Sequence, residues 1–221
     1  RVASAARRAF DANCQDIDRL LEIHADLGGS GRGRRHRLEV LNKSAIVLLT
    51  ALWEAYCEDI AAEGLAHLVA HARDWNKIPK ELQQRVAKEL KNEQHELAVW
   101  RLAGDGWRTV LSDRLAALQQ ERNRQLNTPK TAQIDALFQS TLGTPTLSDR
   151  WYWPGMSKQQ ARAKLDRYVE LRGGIAHRGA GARSVSKAAV VDYYDHIKRL
   201  VTKTGGGVNA VVRASTGRPL W

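Results

Sequence analysis

The stretch LNKSAIVLLTALWEAYCEDI, residues 41–60, decides how the rest of the chain is read. Its apolar side chains recur at Leu41, Ala45, Leu49, Leu52, Tyr56 and Ile60, steps of three and four that draw one stripe along an α-helix. Begun at Leu38, the pattern predicts a helix over residues 38–72. Within it, AIVLLTALW is apolar almost all the way round. A helix without a polar face is stable only when surrounded, so this one is predicted to be central and packed on several sides. Glu54 and Glu58 lie opposite the main stripe, where exposure is expected.

Working outward, residues 3–27 repeat the helical period at Phe10, Ile17, Leu20, Leu21 and Leu27. GGSGRGRRHR, residues 28–37, then reads as a basic, glycine-rich connector. Pro79 opens a further helix, predicted to run to about residue 102, where AGDG at 103–106 breaks the pattern. Helices are also predicted over 107–122, 131–140, 157–178 and 186–203, the last with Val190, Tyr194, Ile197 and Val201 in register. LGTPTLSDRWYWPG, 142–155, reads as loop, and the glycines at 205–207 as the point where a C-terminal tail, 204–221, begins. The economical fold is all-α: one domain, an antiparallel helical bundle with a single long central helix.

Composition agrees. Five prolines and an abundance of helix-forming residues argue against sheet, and 43% hydrophobic residues over 221 positions suffice for one sizeable core. The net charge is +11, and it is uneven: residues 151–221 hold 13 Lys/Arg against 4 Asp/Glu. Such asymmetry favours a polyanionic partner, most plausibly nucleic acid, over a basic segment that merely aids solubility. Cys14 and Cys57 sit in helical patterns without metal-ligand spacing and read as reduced thiols of a cytoplasmic protein. The longest uncharged central run, residues 44–53, is too short to span a membrane. No signal peptide is visible, and because the sequence opens on Arg1 rather than methionine, the native start is expected upstream.

Several motifs invite chemistry. Glu63, His67 and His71 fall at i, i+4 and i+8, yet no HExxH order and no third ligand accompany them, so a solvated helix face is the favoured reading and no metal is expected. GRGRRHR lacks the G-K-[ST] of a phosphate loop; its Arg32, Arg34, Arg35 and Arg37 suit backbone phosphates without sequence reading, a solvated linker being the alternative. The aromatics of RWYWPG, residues 150–155, can stack RNA bases or close a core, and the core is favoured.

ELRGGIAHRGAG, residues 170–181, is the most informative. Its helix carries an apolar stripe of Leu165, Tyr168, Val169, Ile175 and Ala176, and Arg172 occupies a stripe position where a guanidinium costs several kcal/mol, on the order of a buried ion, unless paired or wet. His177 follows five positions on, about 7.5 Å along a regular helix but rotated by about 140°. Gly173 and Gly174 weaken the helix between them, and a helix ending at the histidine would let the ring turn back toward the arginine. Arg178 beside it is expected to add phosphate affinity.

Arg172-Gly-Gly-Ile-Ala-His177 on a late helix resembles the R-x4-6-H motif of the HEPN superfamily, helical nucleases and nucleotide binders, and residues 41–60 are similar to the core helix of its RiboL-PSP-type branch. The chain departs from many members in carrying Gly173 directly after the arginine, where a polar residue, often asparagine, is usual. The resemblance implies a HEPN-like domain over 38–203, preceded by an N-terminal helix, 1–27, and the connector, 28–37. It implies metal-independent RNA cleavage without a cofactor: His177 moves protons at the 2′-hydroxyl and leaving oxygen, and Arg172 holds the scissile phosphate. It further implies a cytoplasmic homodimer, a toxin or antiphage-defence effector held in check by an antitoxin or regulatory protein. Pairing of Glu54 with Arg172, which would orient the arginine from behind, is a further expectation drawn partly from the family's habit. The competing expectations are a non-catalytic RNA- or protein-binding module of the same fold and a basic scaffold.

Overall fold

In the computed structural model, which describes residues 3–28, 38–120, 128–178 and 184–221, the stretch at 41–60 lies inside one long helix, α2 (Glu39–His71). It is central, as its all-round hydrophobicity requires. Ile46, Leu49, Trp53, Tyr56, Cys57, Ile60, Leu65 and Leu68 are all buried, and at about 100° per residue they cover about half of the circumference, Ala45 and Ala62 widening the covered face further. Helix α1 (Ala5–Gly28) lies antiparallel to it, pairing Phe10 with Tyr56 at its start. The entry to α1 is capped twice: Ser4 Oγ accepts from Arg7 N–H at 3.0 Å, and the Glu63 carboxylate accepts from Ala5 and Ala6 N–H at 3.1 and 3.0 Å. A carboxylate at a helix N-terminus satisfies orphan donors and meets the positive end of the dipole.

Beyond α2 come α3 (Lys80–Lys91), α4 (Gly106–Gln120), α5 (Thr131–Leu142), α6 (Lys158–Arg178) and α7 (Lys187–Thr216). Short 3₁₀ turns occupy Trp75–Lys77, Ala98–Leu102 and Leu147–Arg150, and no named strand occurs among the described residues. Helices α6 and α7 are antiparallel: Ala161 pairs with His196, Lys164 with Asp192 and Tyr168 with Ala189. Helix α7 instead runs alongside α2 in the same direction, joined by Thr50 to Tyr193, Tyr56 to Val201 and Gly64 against Val208.

The structure differs from the sequence reading at both ends. The described residues of the N-terminal helix and of 204–221 pack into the same core as the rest, because Phe10, Cys14 and Ile17 share one core cluster with Val208 and Val212. Helix α7 also passes straight through Gly205, Gly206 and Gly207 to Thr216. These glycines permit close approach rather than a break. A Cβ at Gly205 would stand 2.7 Å from Tyr56 Oη, which is held at 2.9 Å from Val201 O, whereas a Cβ at Gly206 would meet nothing within 4 Å. Gly205→Ala is therefore expected to destabilise by about 1–3 kcal/mol through overpacking. Gly206→Ala, on the same helix, should stabilise by about 0.5–1 kcal/mol through helix propensity. Urea denaturation of the two variants checks the pair, and effects of the same sign would contradict this account of α7.

Helix α3 stops at Lys91 rather than near residue 102. The run NEQHE, 92–96, supplies no apolar side chain to hold another turn against the core, so the helix loses the tertiary support that a short helix needs. Helix α5 ends at Gly143, whose φ of 66° suits only a residue without Cβ, and a Cβ there would also strike Leu82 N at 2.7 Å. The aromatic run divides. Trp151 is fully buried and donates to Thr204 Oγ1 at 2.9 Å, Trp153 is half-buried against the His196 ring, and Tyr152 is exposed beneath Lys203 Nζ.

His196 is 2% exposed, with Nε2 donating to Ala161 O at 3.0 Å, which places the proton of the neutral ring on Nε2. Burial, reinforced by the Lys164 charge, depresses its pKa from the usual 6.5 to about 4; the Ala161 bond and Asp192 oppose this. The unfolded chain thus binds the proton more readily, and the stability present above about pH 6.5 is lost as pH falls toward 4. Between pH 7 and 4.5 the loss from this group should be about 2–3 kcal/mol. Comparing urea midpoints of the wild type and His196→Gln at both pH values isolates it, since the variant should lack that increment.

Candidate active site

Helix α6 is set by its own period: Leu165, Tyr168, Val169 and Ile175 are buried against the bundle. Ala176, expected in the same stripe, is exposed, because the packed seam ends at Ile175. Three contacts fix the helix in place. Tyr168 stacks on Tyr193 with ring centroids 4.2 Å apart and directs its hydroxyl to Asp192 Oδ2 at 2.8 Å, while Lys164 Nζ donates to Asp192 Oδ1 at 2.6 Å. Asp166 accepts from the N–H and hydroxyl of Thr131 at 2.7 and 2.9 Å, which caps α5 and ties it to α6. Beyond the end of α6, the Val185 carbonyl accepts from buried Asn42 Nδ2 at 2.9 Å, drawing the chain back to the start of α2.

On this frame Arg172 is half-buried, its Nε removed from solvent, and faces the acidic side of α2. Glu54 and Glu58 were expected to be exposed; Glu54 is half-buried and Glu58 is only 5% exposed. Helix α6 packs against α2 on this side, so the face opposite the strongest stripe of α2 is covered, while Ala51 and Ala55 on the neighbouring face stay exposed. The Glu54 carboxyl is pushed up to about 7, chiefly by burial and then by the Glu58 charge, while the Arg172 charge pulls the other way. Arg172 also lies within electrostatic reach of the Tyr193 hydroxyl. The result is a cation within electrostatic reach of the Glu54 carboxyl, which is pushed to about 7 and itself feels the Glu58 charge. Neither Glu58, read from the sequence as exposed, nor Tyr193 was assigned to the site there, although Glu58 stands one helical turn from Glu54 and shares its face.

His177 is exposed. Helix α6 continues without interruption through Gly173 and Gly174 to Arg178, so the histidine does not turn back. A regular helix sets it about 7.5 Å along the axis and about 140° round from Arg172. Within one chain the guanidinium is therefore directed to α2 and the imidazole to solvent. Between them, a Cβ at Gly173 or Gly174 would meet nothing within 4 Å, which leaves this face of the helix open. Arg32, Arg34, Arg35 and Arg37 lie outside the described residues, as does the side chain of Arg178.

The other candidates have structural duties. Both Glu63 oxygens are taken by the N-terminus of α1, and the His67 and His71 rings lie tilted against each other with centroids 4.5 Å apart. Among the described residues no group of three His, Cys, Asp or Glu side chains is arranged to hold a metal ion. Cys14 and Cys57 are buried free thiols, and burial raises the pKa of both. Among the described residues no helix is long and apolar enough to cross a membrane.

Comparison with known proteins was informative on one count. No curated protein and no solved structure matches the chain. The family model described as RiboL-PSP-HEPN matches residues 12–206, from within α1 to the middle of α7, and thus takes in α2, α6 and the whole of the site. With the all-helical fold and a match across most of its length, the chain belongs to the RiboL-PSP-HEPN family.

Proposed function

We propose that the chain is a metal-independent endoribonuclease in which Arg172 and His177 act on one phosphodiester. The observation that carries this reading is the half-buried arginine within electrostatic reach of Glu54, followed on the same helix by an open glycine face and an exposed histidine. A guanidinium is desolvated at a cost, and carboxylates that offset the cost also fix its direction. Glu54 is a positioning residue here, its charge state setting how firmly Arg172 is held.

His177 takes the proton from the ribose 2′-hydroxyl and, as the acid, returns one to the departing 5′-oxygen. The 2′-oxygen forms its bond to phosphorus as the P–O5′ bond breaks, giving a 2′,3′-cyclic phosphate and a free 5′-hydroxyl. Arg172 donates to the non-bridging oxygens as negative charge accumulates on them. The angular separation on one helix fits an arrangement in which two copies meet about a two-fold axis, so that the arginine of one serves the histidine of the other. The C-terminal excess of positive charge supplies the attraction for RNA. A toxin or antiphage-defence role in the cytoplasm, restrained by an antitoxin or regulatory protein, follows from the habit of the family.

Two observations favour a second reading, a non-catalytic RNA- or protein-binding module: Gly173 offers no polar group beside Arg172, and α6 stays regular through His177. The deciding experiment incubates the protein with single-stranded RNA in excess chelator, alongside the same strand carrying 2′-deoxy sugars. Cleavage of the first alone, with cyclic-phosphate ends, is expected. Cleavage that needs added metal, or that cuts the deoxy strand, overturns the chemistry; RNA binding without turnover selects the module.

A further inference from the structure

At the end of the bundle away from the motif, the last turns of α2 and α7 enclose a polar pocket of about 410 Å³ lined by His71, Arg73, Arg108, Thr216 and Arg218. His71 lies 17 residues beyond Glu54 on α2, about 26 Å along the axis, so this pocket is separate from the Arg172 region. We propose that it binds a phosphate monoester.

The pocket is pre-arranged. Arg108 is held by donation from Nη1 and Nη2 to the carbonyls of Val69 and Ala72 at 2.5 and 2.6 Å, and its guanidinium lies 4.2 Å from the Trp107 ring centroid. Arg218 is brought over the pocket by a turn at Gly217, φ 72°, in which its N–H donates to Thr216 Oγ1 at 3.1 Å, and its Nη1 then donates to His71 Nδ1 at 3.4 Å. Arg73 is exposed at the rim, and neither it nor Arg218 forms an ion pair among the described residues. Asp105, 3.7 Å from Arg108 Nε, is the carboxylate that answers this group.

The charge balance favours an anion. Two helix C-termini contribute roughly half a negative charge each, and Asp105 one more, against three guanidinium groups. The excess is cationic even with His71 neutral. The pKa of neighbouring His67 is lowered by burial and then by His71; the backbone hydrogen bond of Arg218 opposes this and its charge adds to it. Arg108 commits one N–H of each terminal nitrogen to carbonyls, so the donors most available to a ligand are the Arg73 fork, the remaining Arg218 N–H groups and His71. Planar guanidinium forks match phosphate oxygens two at a time, and a doubly charged terminal phosphate gains more from them than a diester does. The volume admits a nucleotide as well as a bare phosphate.

The ligand chemistry has two sources, a free mononucleotide or the phosphorylated end of an RNA strand. The inference does not depend on catalysis at Arg172 and His177. It is tested by calorimetric titration of the full chain, at constant ionic strength, with inorganic phosphate, adenosine 5′-monophosphate and adenosine. The first two should bind and adenosine should not. Arg73→Gln with Arg218→Gln, both at exposed positions, should weaken binding at least tenfold while leaving the unliganded melting temperature within a few degrees. In a His177→Ala background, 5′-phosphorylated and 5′-hydroxyl RNA 8-mers then separate the sources: tighter binding of the phosphorylated strand, lost in the double variant, identifies an RNA end. Equal binding of the two strands, with monophosphate binding intact, identifies a mononucleotide. No response of the wild type to phosphate, or a response that the double variant keeps, overturns the proposal.

Discussion

His177→Ala is expected to reduce RNA cleavage in chelator by about 10²–10⁴-fold, the usual contribution of a positioned proton-transfer group. Arg172→Ala should cost about 10²–10³-fold through lost stabilisation of the phosphorane charge. The two variants should differ in stability. His177 is exposed at the end of α6, so its removal should leave the melting temperature unchanged. Arg172 lowers the pKa of Glu54, so its removal should raise that pKa further beyond about 7 and relieve neither buried carboxyl group. Arg172→Lys keeps the charge but not the fork, and recovery of stability without recovery of rate would identify geometry as the arginine's contribution.

The separation of the two side chains around α6 makes a sharper experiment possible. If the arginine of one copy serves the histidine of another, mixing Arg172→Ala with His177→Ala protein regenerates one intact site per mixed dimer, and activity returns. If both groups act within one chain, the mixture stays dead. Cleavage that survives both substitutions in the separate proteins would sink the ribonuclease reading altogether.

The largest stability effect is expected at Trp53. Its side chain is wholly buried on α2, edge-on to Trp151 at 5.8 Å, stacked with Tyr56 at 6.2 Å, and hydrogen-bonded through Nε1 to Pro129 O at 3.3 Å. It therefore joins the central helix to the segment before α5 and to the loop before α6. Trp53→Ala should cost about 3–5 kcal/mol, because neighbours on separate elements cannot all collapse into the space left behind. For a domain of this size that lowers the melting temperature by on the order of 10 °C. Trp100→Ala, at a side chain 73% exposed, serves as the control and should change stability by about 0.5 kcal/mol or less. Similar losses at the two positions would mean that the core is not closed around Trp53.

The helices α1, α2, α5 and α6 were legible in the amino-acid sequence to within a residue or two, because helical period, capping residues and terminating glycines are local properties of the chain. The central place of α2 was legible too, from AIVLLTALW. Position 172 stood out as an arginine in an apolar register, and that anomaly led to the candidate site. The early stop of α3 and the passage of α7 through three glycines were not legible, since both depend on what lies alongside. At 92–96 no neighbour supports the helix, whereas at 205 the phenol of Tyr56 fills the space where a side chain would be.

Other features were decided by tertiary structure alone. Glu58 is buried although its own helix points it away from the main stripe, because periodicity reports the direction of a side chain and not what covers it. Glu63 became the cap of a helix 57 positions earlier, and Arg218 reached His71 from 147 positions away. A linear pattern holds the propensity of each segment. Which charges meet, and how far each is removed from water, is settled only when distant segments pack, because desolvation and Coulomb energy depend on distance through space.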